Sequence, residues 1–167
     1  GIENVMTEID IEDLIEEEES VITLTNGGYI KRMPTSTYSS QHRGGKGIKG
    51  MSTKEEDFVE NITVASTHDN MLFFTNRGRM YRLKGYQIPE ASRQAKGSAI
   101  VNILPVEKDE KVTAMIALRE FEENKYLLMC TRGGVIKKTA VTDYNTSRKG
   151  GIIGIVLDEG DELIKVE

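Results

Sequence analysis

The sequence has no tryptophan, one cysteine, two histidines and only three prolines. Each scarcity excludes something. With Cys130 alone, no intrachain disulfide can form, which fits a reducing, cytoplasmic compartment; its place in the apolar run Tyr126 to Cys130 predicts a core residue. His42 and His68 have no partners at metal-ligand spacing, so no metal site is expected. No apolar run approaches the ~18 residues of a membrane span. The acidic start, Gly1 to Glu19, lacks the basic and apolar regions of a secretory signal. There is no G-x-x-x-x-G-K-[ST] loop for ATP. Gly45-Lys-Gly-Ile-Lys-Gly50 formally matches G-x-G-x-x-G but lacks the preceding buried strand and following helix of a dinucleotide site. Neither a nucleophile with a histidine nor a recurring carboxylate pair is present, so no catalytic residue and no cofactor is expected in this chain.

Basic residues are also in the minority, and the net charge is −5. Their distribution matters more than the total. Residues 25–51, 75–97 and 131–151 together hold 16 of the 22 Lys and Arg residues but only 2 of the 27 acids. Charge segregated this way predicts a basic surface on an acidic body. Apolar residues make up only 38% of the chain, so the core is expected in small packets.

The basic windows follow an internal repeat. Leu24-Thr-Asn-Gly-Gly-Tyr-Ile-Lys-Arg32 reappears as Phe74-Thr-Asn-Arg-Gly-Arg-Met-Tyr-Arg82 and as Cys130-Thr-Arg-Gly-Gly-Val-Ile-Lys-Lys138, at spacings of 50 and 56 residues. Each copy predicts a β-hairpin. Asn26-Gly27 and Gly133-Gly134 would supply the positive φ of its turn, and β-branched and aromatic residues flank it. Ile30, Met80 and Ile136 share one repeat position and are expected in the core. Arg32, Arg82 and Lys138 follow on the same strand face, tolerable near a strand end where long side chains reach water. A glycine-rich basic loop follows each hairpin: Gln41 to Gly47, Ser92 to Gly97 and Ser147 to Gly150. Further strands are expected at Asn61 to Ser66, Ala99 to Leu104, Lys111 to Leu118 and Ile152 to Leu157. Four strands per ~50 residues is the size of a propeller blade. The expected fold is therefore all-β, with about three four-stranded antiparallel blades at approximately 20–69, 70–124 and 125–167. Residues 1–19 form an acidic linker or short helix, the helix falling within 7–19 and the run Glu16 to Glu19 solvated. Residues 52–60 and 107–111 are expected as acidic surface connections.

Gln41-His-Arg-Gly-Gly-Lys-Gly47 resembles the seven-residue basic box, Gln-Arg-Arg-Gly-Gly-Lys/Arg-Gly, of the C-terminal domains of DNA gyrase A proteins. Six of the seven positions agree; His42 replaces an arginine and removes one permanent charge. Asp10 to Ile15, Gly28 to Arg32, Gly50-Met51 and the junction-like Asp158 to Leu163 resemble the same family, so the likeness covers nearly the whole chain. It implies a β-pinwheel, here a partial ring, whose basic rim bends and wraps duplex DNA so that the holoenzyme introduces negative supercoils. The box residues Gln41, His42, Arg43, Gly44, Gly45, Lys46 and Gly47 become the first DNA contact. Arg93 with Lys96, and Arg148 with Lys149, hold the related loops. Lys31, Arg32, Lys49, Arg77, Arg79, Arg82, Arg132 and Lys138 are candidate supporting contacts. Glycines and cations suit phosphates rather than base edges, so little sequence readout is expected. The resemblance also implies partners: double-stranded DNA, the rest of the gyrase A protein, and gyrase B in an A2B2 assembly. It further implies ATP and Mg2+ acting elsewhere in that assembly, and a cytoplasmic, nucleoid-associated place. None of the six tyrosines is the cleaving residue. Exposed strand edges of a partial ring predict self-association. The alternatives are the corresponding protein of topoisomerase IV, which shares the repeats with a degraded box, and a propeller-like protein-interaction platform.

Overall fold

The computed structural model describes residues 11–38 and 57–167. The strands, in order, are β1 (Glu19–Thr25), β2 (Tyr29–Pro34), β3 (Val59–Ser66), β4 (Asn70–Thr75), β5 (Arg79–Lys84), β6 (Ser98–Ala99), β7 (Val112–Leu118), β8 (Tyr126–Thr131), β9 (Ile136–Ala140), β10 (Ile152–Ile153) and β11 (Leu163–Val166). They form three sheets, ordered β3-β1-β2-β6, β10-β5-β4-β7 and β11-β8-β9. All their pairings are antiparallel. The three repeat hairpins are β1–β2, β4–β5 and β8–β9.

The sheets are blades that share their cores. Alternate residues of a strand face opposite sides of its sheet, and the middle blade is covered on both. Ile22, Leu24 and Ile30 of the first blade pack with Met71, Phe73 and Tyr81 of the second. Leu72, Phe74 and Met80, on the second blade's other face, pack with Leu127, Met129 and Leu163 of the third. All six residues of β4 are consequently buried, whereas β8 alternates between exposed and buried. The low apolar content thus becomes two thin layers between blades.

The turn chemistry differs from the expectation by one residue. Positive φ falls on Gly28, Gly78 and Gly134 (+88°, +80° and +91°), not on Asn26-Gly27. The threonine opening each turn explains the shift. Thr25, Thr75 and Thr131 accept, at Oγ1, the N–H four residues on, from Tyr29, Arg79 and Val135 at 3.1, 3.3 and 3.1 Å. Gly27 and Gly133 serve close approach instead: their N–H groups donate to Asp57 Oδ1 (2.6 Å) and Asp161 Oδ1 (2.8 Å). An added Cβ would lie 2.9 Å from either carboxylate. The same carboxylates hydrogen-bond the hydroxyls of Thr25 and Thr131. In the second blade Glu110 takes this role, accepting from Thr75 Oγ1 at 2.7 Å and from Tyr81 Oη at 3.0 Å. One carboxylate therefore closes each hairpin turn.

Several expectations are corrected. Only 11–14 of the described N-terminal residues are helical; residues 7–10 lie outside the described set. The acidic run is tied to the turn after β3, since Glu16 O accepts from Thr67 Oγ1, Glu17 from Ser66 Oγ and Arg119, and Glu18 N–H donates to Thr67 Oγ1. Glu19 begins β1. The 107–111 connection buries Glu110 to close its turn. β3 starts at Val59, inside the expected 52–60 connection. The strands expected at 99–104 and 152–157 shorten to the two-residue β6 and β10, which pair with the preceding blade before the backbone turns away. Cys130 is half-buried. Ile30 and Met80 are fully buried, but Ile136 is 71% exposed, because among the described residues no strand covers β9 as β6 covers β2 and β10 covers β5.

Phe74 meets Tyr144 edge-on at 5.2 Å in the second core layer. Phe74→Ala is expected to lower the unfolding free energy by about 3–5 kcal/mol, and Val156→Ala, at an exposed site, by under ~0.5 kcal/mol; urea denaturation measures both. The hydrogen bond from Thr131, then those from the Gly133 and Glu162 amides, hold the Asp161 carboxyl below the usual carboxylate range. Its folded pKa lies below its unfolded one. Its stabilisation is therefore complete above the unfolded value and drains as pH falls through the folded value. Thr131→Val should raise the Asp161 pKa in an NMR titration and move the start of acid unfolding to higher pH.

Candidate nucleic-acid interface

The second and third basic loops each precede the strand that their repeat lends to the blade before. Ser92 to Gly97 leads into β6, paired as Tyr29↔Ala99 and Ile30↔Ser98. Ser147 to Gly150 leads, through Gly151, into β10, paired as Met80↔Ile152 and Arg79↔Ile153. The last glycine of each segment has positive φ and lies against the preceding blade. A Cβ on Gly97 would come within 2.5 Å of Ile30 O, and one on Gly151 within 2.7 Å of the Tyr81 ring. Two basic loops thus sit at equivalent places on neighbouring blades. Gln41 to Gly47 precedes Ile48-Lys49 in the same way in sequence; these residues, Lys49 included, lie outside the described set.

The candidate cations divide into two groups. In one, the donors are engaged inside the protein. Lys31 Nζ donates to the carbonyls of Ser92, Arg93 and Ala95 at 3.0, 2.7 and 2.9 Å. Arg32 Nε donates to Ile88 O, and its guanidinium lies 3.9 Å from Glu18. Arg82 donates to Asn70 Oδ1 at 2.8 and 3.2 Å, to Thr146 O at 2.8 Å and to Asn145 Oδ1 at 3.1 Å, with Phe121 against its guanidinium. Burial pushes its pKa down. Arg79 donates to Gly150 O and Tyr81 Oη. Arg77 pairs with Glu107 and Asp109, and Arg132 with Glu162; these surface pairs are worth under ~1 kcal/mol.

The second group faces solvent. Arg148 and Lys149 are exposed and form no ion pair among the described residues. With Arg82 and Lys84 they line one cleft. Lys96 lies 4.2 Å over the Tyr29 ring and Lys138 4.3 Å over the Tyr126 ring. Each ring orients an ammonium without neutralising it. Arg93 is half-buried beside Lys31. Such loops can place cations and backbone amides against phosphates.

The family described as "DNA gyrase C-terminal domain, beta-propeller" matches residues 19–66, 69–119 and 125–167. The chain belongs to the DNA gyrase A C-terminal domain family. The DNA gyrase A protein of Clostridium acetobutylicum is 58% identical over 166 residues, which is 99% of this chain and 20% of that protein. The gyrase A protein of Staphylococcus epidermidis is 49% identical over 162 residues, 96% of this chain and 18% of that protein. The chain therefore spans about one fifth of the curated gyrase A proteins it matches. Among solved structures, the C-terminal domain of DNA topoisomerase IV superposes with a TM-score of 0.75 at 29% identity, covering 92% of this chain and 46% of that one. A gyrase A C-terminal domain superposes at 0.62 and 20% identity, covering 89% and 47%. Fold alone does not separate the two paralogues; sequence places this chain with gyrase.

Sequence reasoning missed the turn-closing acids. They stand 32, 35 and 30 residues after their threonines, and the unequal spacing hides the repeat. It also missed Tyr29 and Tyr126 as platforms, because the other repeats carry no aromatic residue at either position. The division of cations is testable. Arg82→Ala leaves Asn70 Oδ1 and Thr146 O without their donor and should cost about 1–3 kcal/mol in urea unfolding. Arg148→Ala/Lys149→Ala should change stability by less than ~0.5 kcal/mol.

Proposed function

We propose that this chain binds duplex DNA along a curved row of basic loops, mainly through the phosphate backbone, and bends it. The observation that carries this reading is the repeated placement of the loops before β6 and β10, one blade apart, with Lys96, Arg148 and Lys149 turned to solvent. The box, Gln41 to Gly47, supplies the first contact of the row. For the phosphates of one duplex to follow the loops round a ring of blades, the duplex would have to curve. Such bending costs about 1–6 kcal/mol over a few tens of base pairs, which a row of charge-assisted contacts can offset. As part of a gyrase A protein, the chain would support ATP-driven negative supercoiling by wrapping DNA beside the gate. Strand cleavage, ATP and Mg2+ belong to other parts of an A2B2 assembly, and the chain is not an enzyme by itself. Its working place is the cytoplasm, on nucleoid DNA.

The test is a fluorescence titration of a duplex of a few tens of base pairs at several salt concentrations. Log affinity should fall linearly with log salt, by about 0.9 per phosphate neutralised. Arg43→Ala/Lys46→Ala and Arg148→Ala/Lys149→Ala should each weaken binding and flatten that slope. Equal affinity for duplex and an unrelated polyanion would favour a protein-interaction platform. Unchanged slopes in both variants would overturn the assignment of these loops.

A further inference from the structure

Lys31 sits in the middle of β2, yet its side chain belongs to another repeat. Its ammonium has three N–H donors, and three carbonyls of the next repeat's loop converge on it: Ser92 at 3.0 Å, Arg93 at 2.7 Å and Ala95 at 2.9 Å. The loop is a tight turn in which Ala95 N–H donates to Ser92 O at 3.2 Å. Its far end is pinned by Gly97 against Ile30 O and by the pairing of Ser98 with Ile30. Two residues before Lys31 on the same strand, Tyr29 carries Lys96 over its ring at 4.2 Å. One strand of the first blade thus sets both the backbone of the loop and the direction of one of its cations.

We propose that Lys31 is a positioning residue of the DNA interface: it makes no phosphate contact of its own but holds the Ser92 to Gly97 loop, which carries the half-buried Arg93, in the shape that turns Lys96 to solvent. Without the ammonium, the Arg93 and Ala95 carbonyls would lose their donor and Ser92 O would keep only the Ala95 amide, and the turn would open toward water. The next blade supports the idea by a different route. Tyr81 occupies the position of Lys31, and the loop before β10 is gripped instead by Arg79 on Gly150 O (2.9 Å) and Arg82 on Thr146 O (2.8 Å). Different side chains of successive hairpins thus perform the same task, which is to fasten the following basic loop. Burial, then the neighbouring Arg93 charge, lowers the Lys31 pKa.

This proposal rests on the loop being a DNA contact, so the experiment separates the two. Four proteins are compared: the unaltered chain, Lys31→Met, Arg93→Ala/Lys96→Ala, and the three substitutions together. Hydrogen exchange without DNA should show faster exchange of the 92–97 amides in Lys31→Met, with the β4 amides unchanged. In duplex titrations Lys31→Met should weaken binding several-fold in the unaltered chain, but by less than about two-fold when Arg93 and Lys96 are already alanine, because effects acting through the same groups do not add. An equal loss in both backgrounds would make Lys31 an independent contact and overturn the proposal. So would unchanged exchange in the loop, or unchanged DNA affinity in Lys31→Met. If Arg93→Ala/Lys96→Ala itself binds DNA as the unaltered chain does, the loop is not a contact, and the proposal falls with that reading rather than on its own account.

Discussion

The pairing of β6 with β2 and of β10 with β5 joins only two residues each time, yet the rest of the arrangement depends on it. A hairpin in isolation is marginal in water. Here the first two hairpins each receive a third strand from their own repeat and a short fourth from the next, and an apolar face is covered by the neighbouring blade. Stability is therefore a sum of neighbour interactions, as in other repeat architectures. Because the lent strand follows directly on the basic loop, the same pairing that closes a sheet also fixes where the cations stand. Fold and surface charge are set by one contact.

The carboxylate at each turn works at shorter range. A Thr-x-x-Gly turn leaves the N–H of the second residue after threonine without a partner in the ladder. Asp57 and Asp161 accept it while also taking the threonine hydroxyl. The second blade has Arg77 where the other two have glycine, and its acid, Glu110, turns inward to Thr75 and Tyr81. This replacement accounts for a buried glutamate in a connection whose composition suggests solvent. A buried carboxylate is tolerable only when its lone pairs are met, and the Thr75 and Tyr81 hydroxyls with the Glu107 amide meet them.

The hairpins were legible in sequence because their signal is local: alternating strand residues around a Thr-x-x-Gly turn, three times over. Ile30 and Met80 followed as core from the repeat position. Ile136 did not, since burial there depends on a covering strand and not on residue type. The lengths of β6 and β10 were equally hidden, because apolar content at 99–104 and 152–157 reflects packing against the neighbouring blade after the ladder has ended. Among the candidate contacts, the distribution of charge picked out basic segments of the chain but could not assign tasks within them. Lys31, Arg32 and Arg82 look like rim cations in sequence and are half-buried hydrogen-bond donors in the structure.

Under the proposed function, that division bears on how an acidic chain can hold DNA. Counting every basic residue in the three windows overstates the charge offered to phosphate, because several cations serve to fasten loops or pair with nearby acids. Of those left facing water, Lys96, Arg148 and Lys149 lie in short loops whose backbones are fixed by the blade before. A cation held in place loses less side-chain entropy on contact than one on a free loop. Under the proposed function, a small number of positioned charges repeated at blade intervals can therefore act on DNA more effectively than a larger diffuse field. The expected consequence is affinity that follows the curvature and flexibility of the duplex more than its base sequence.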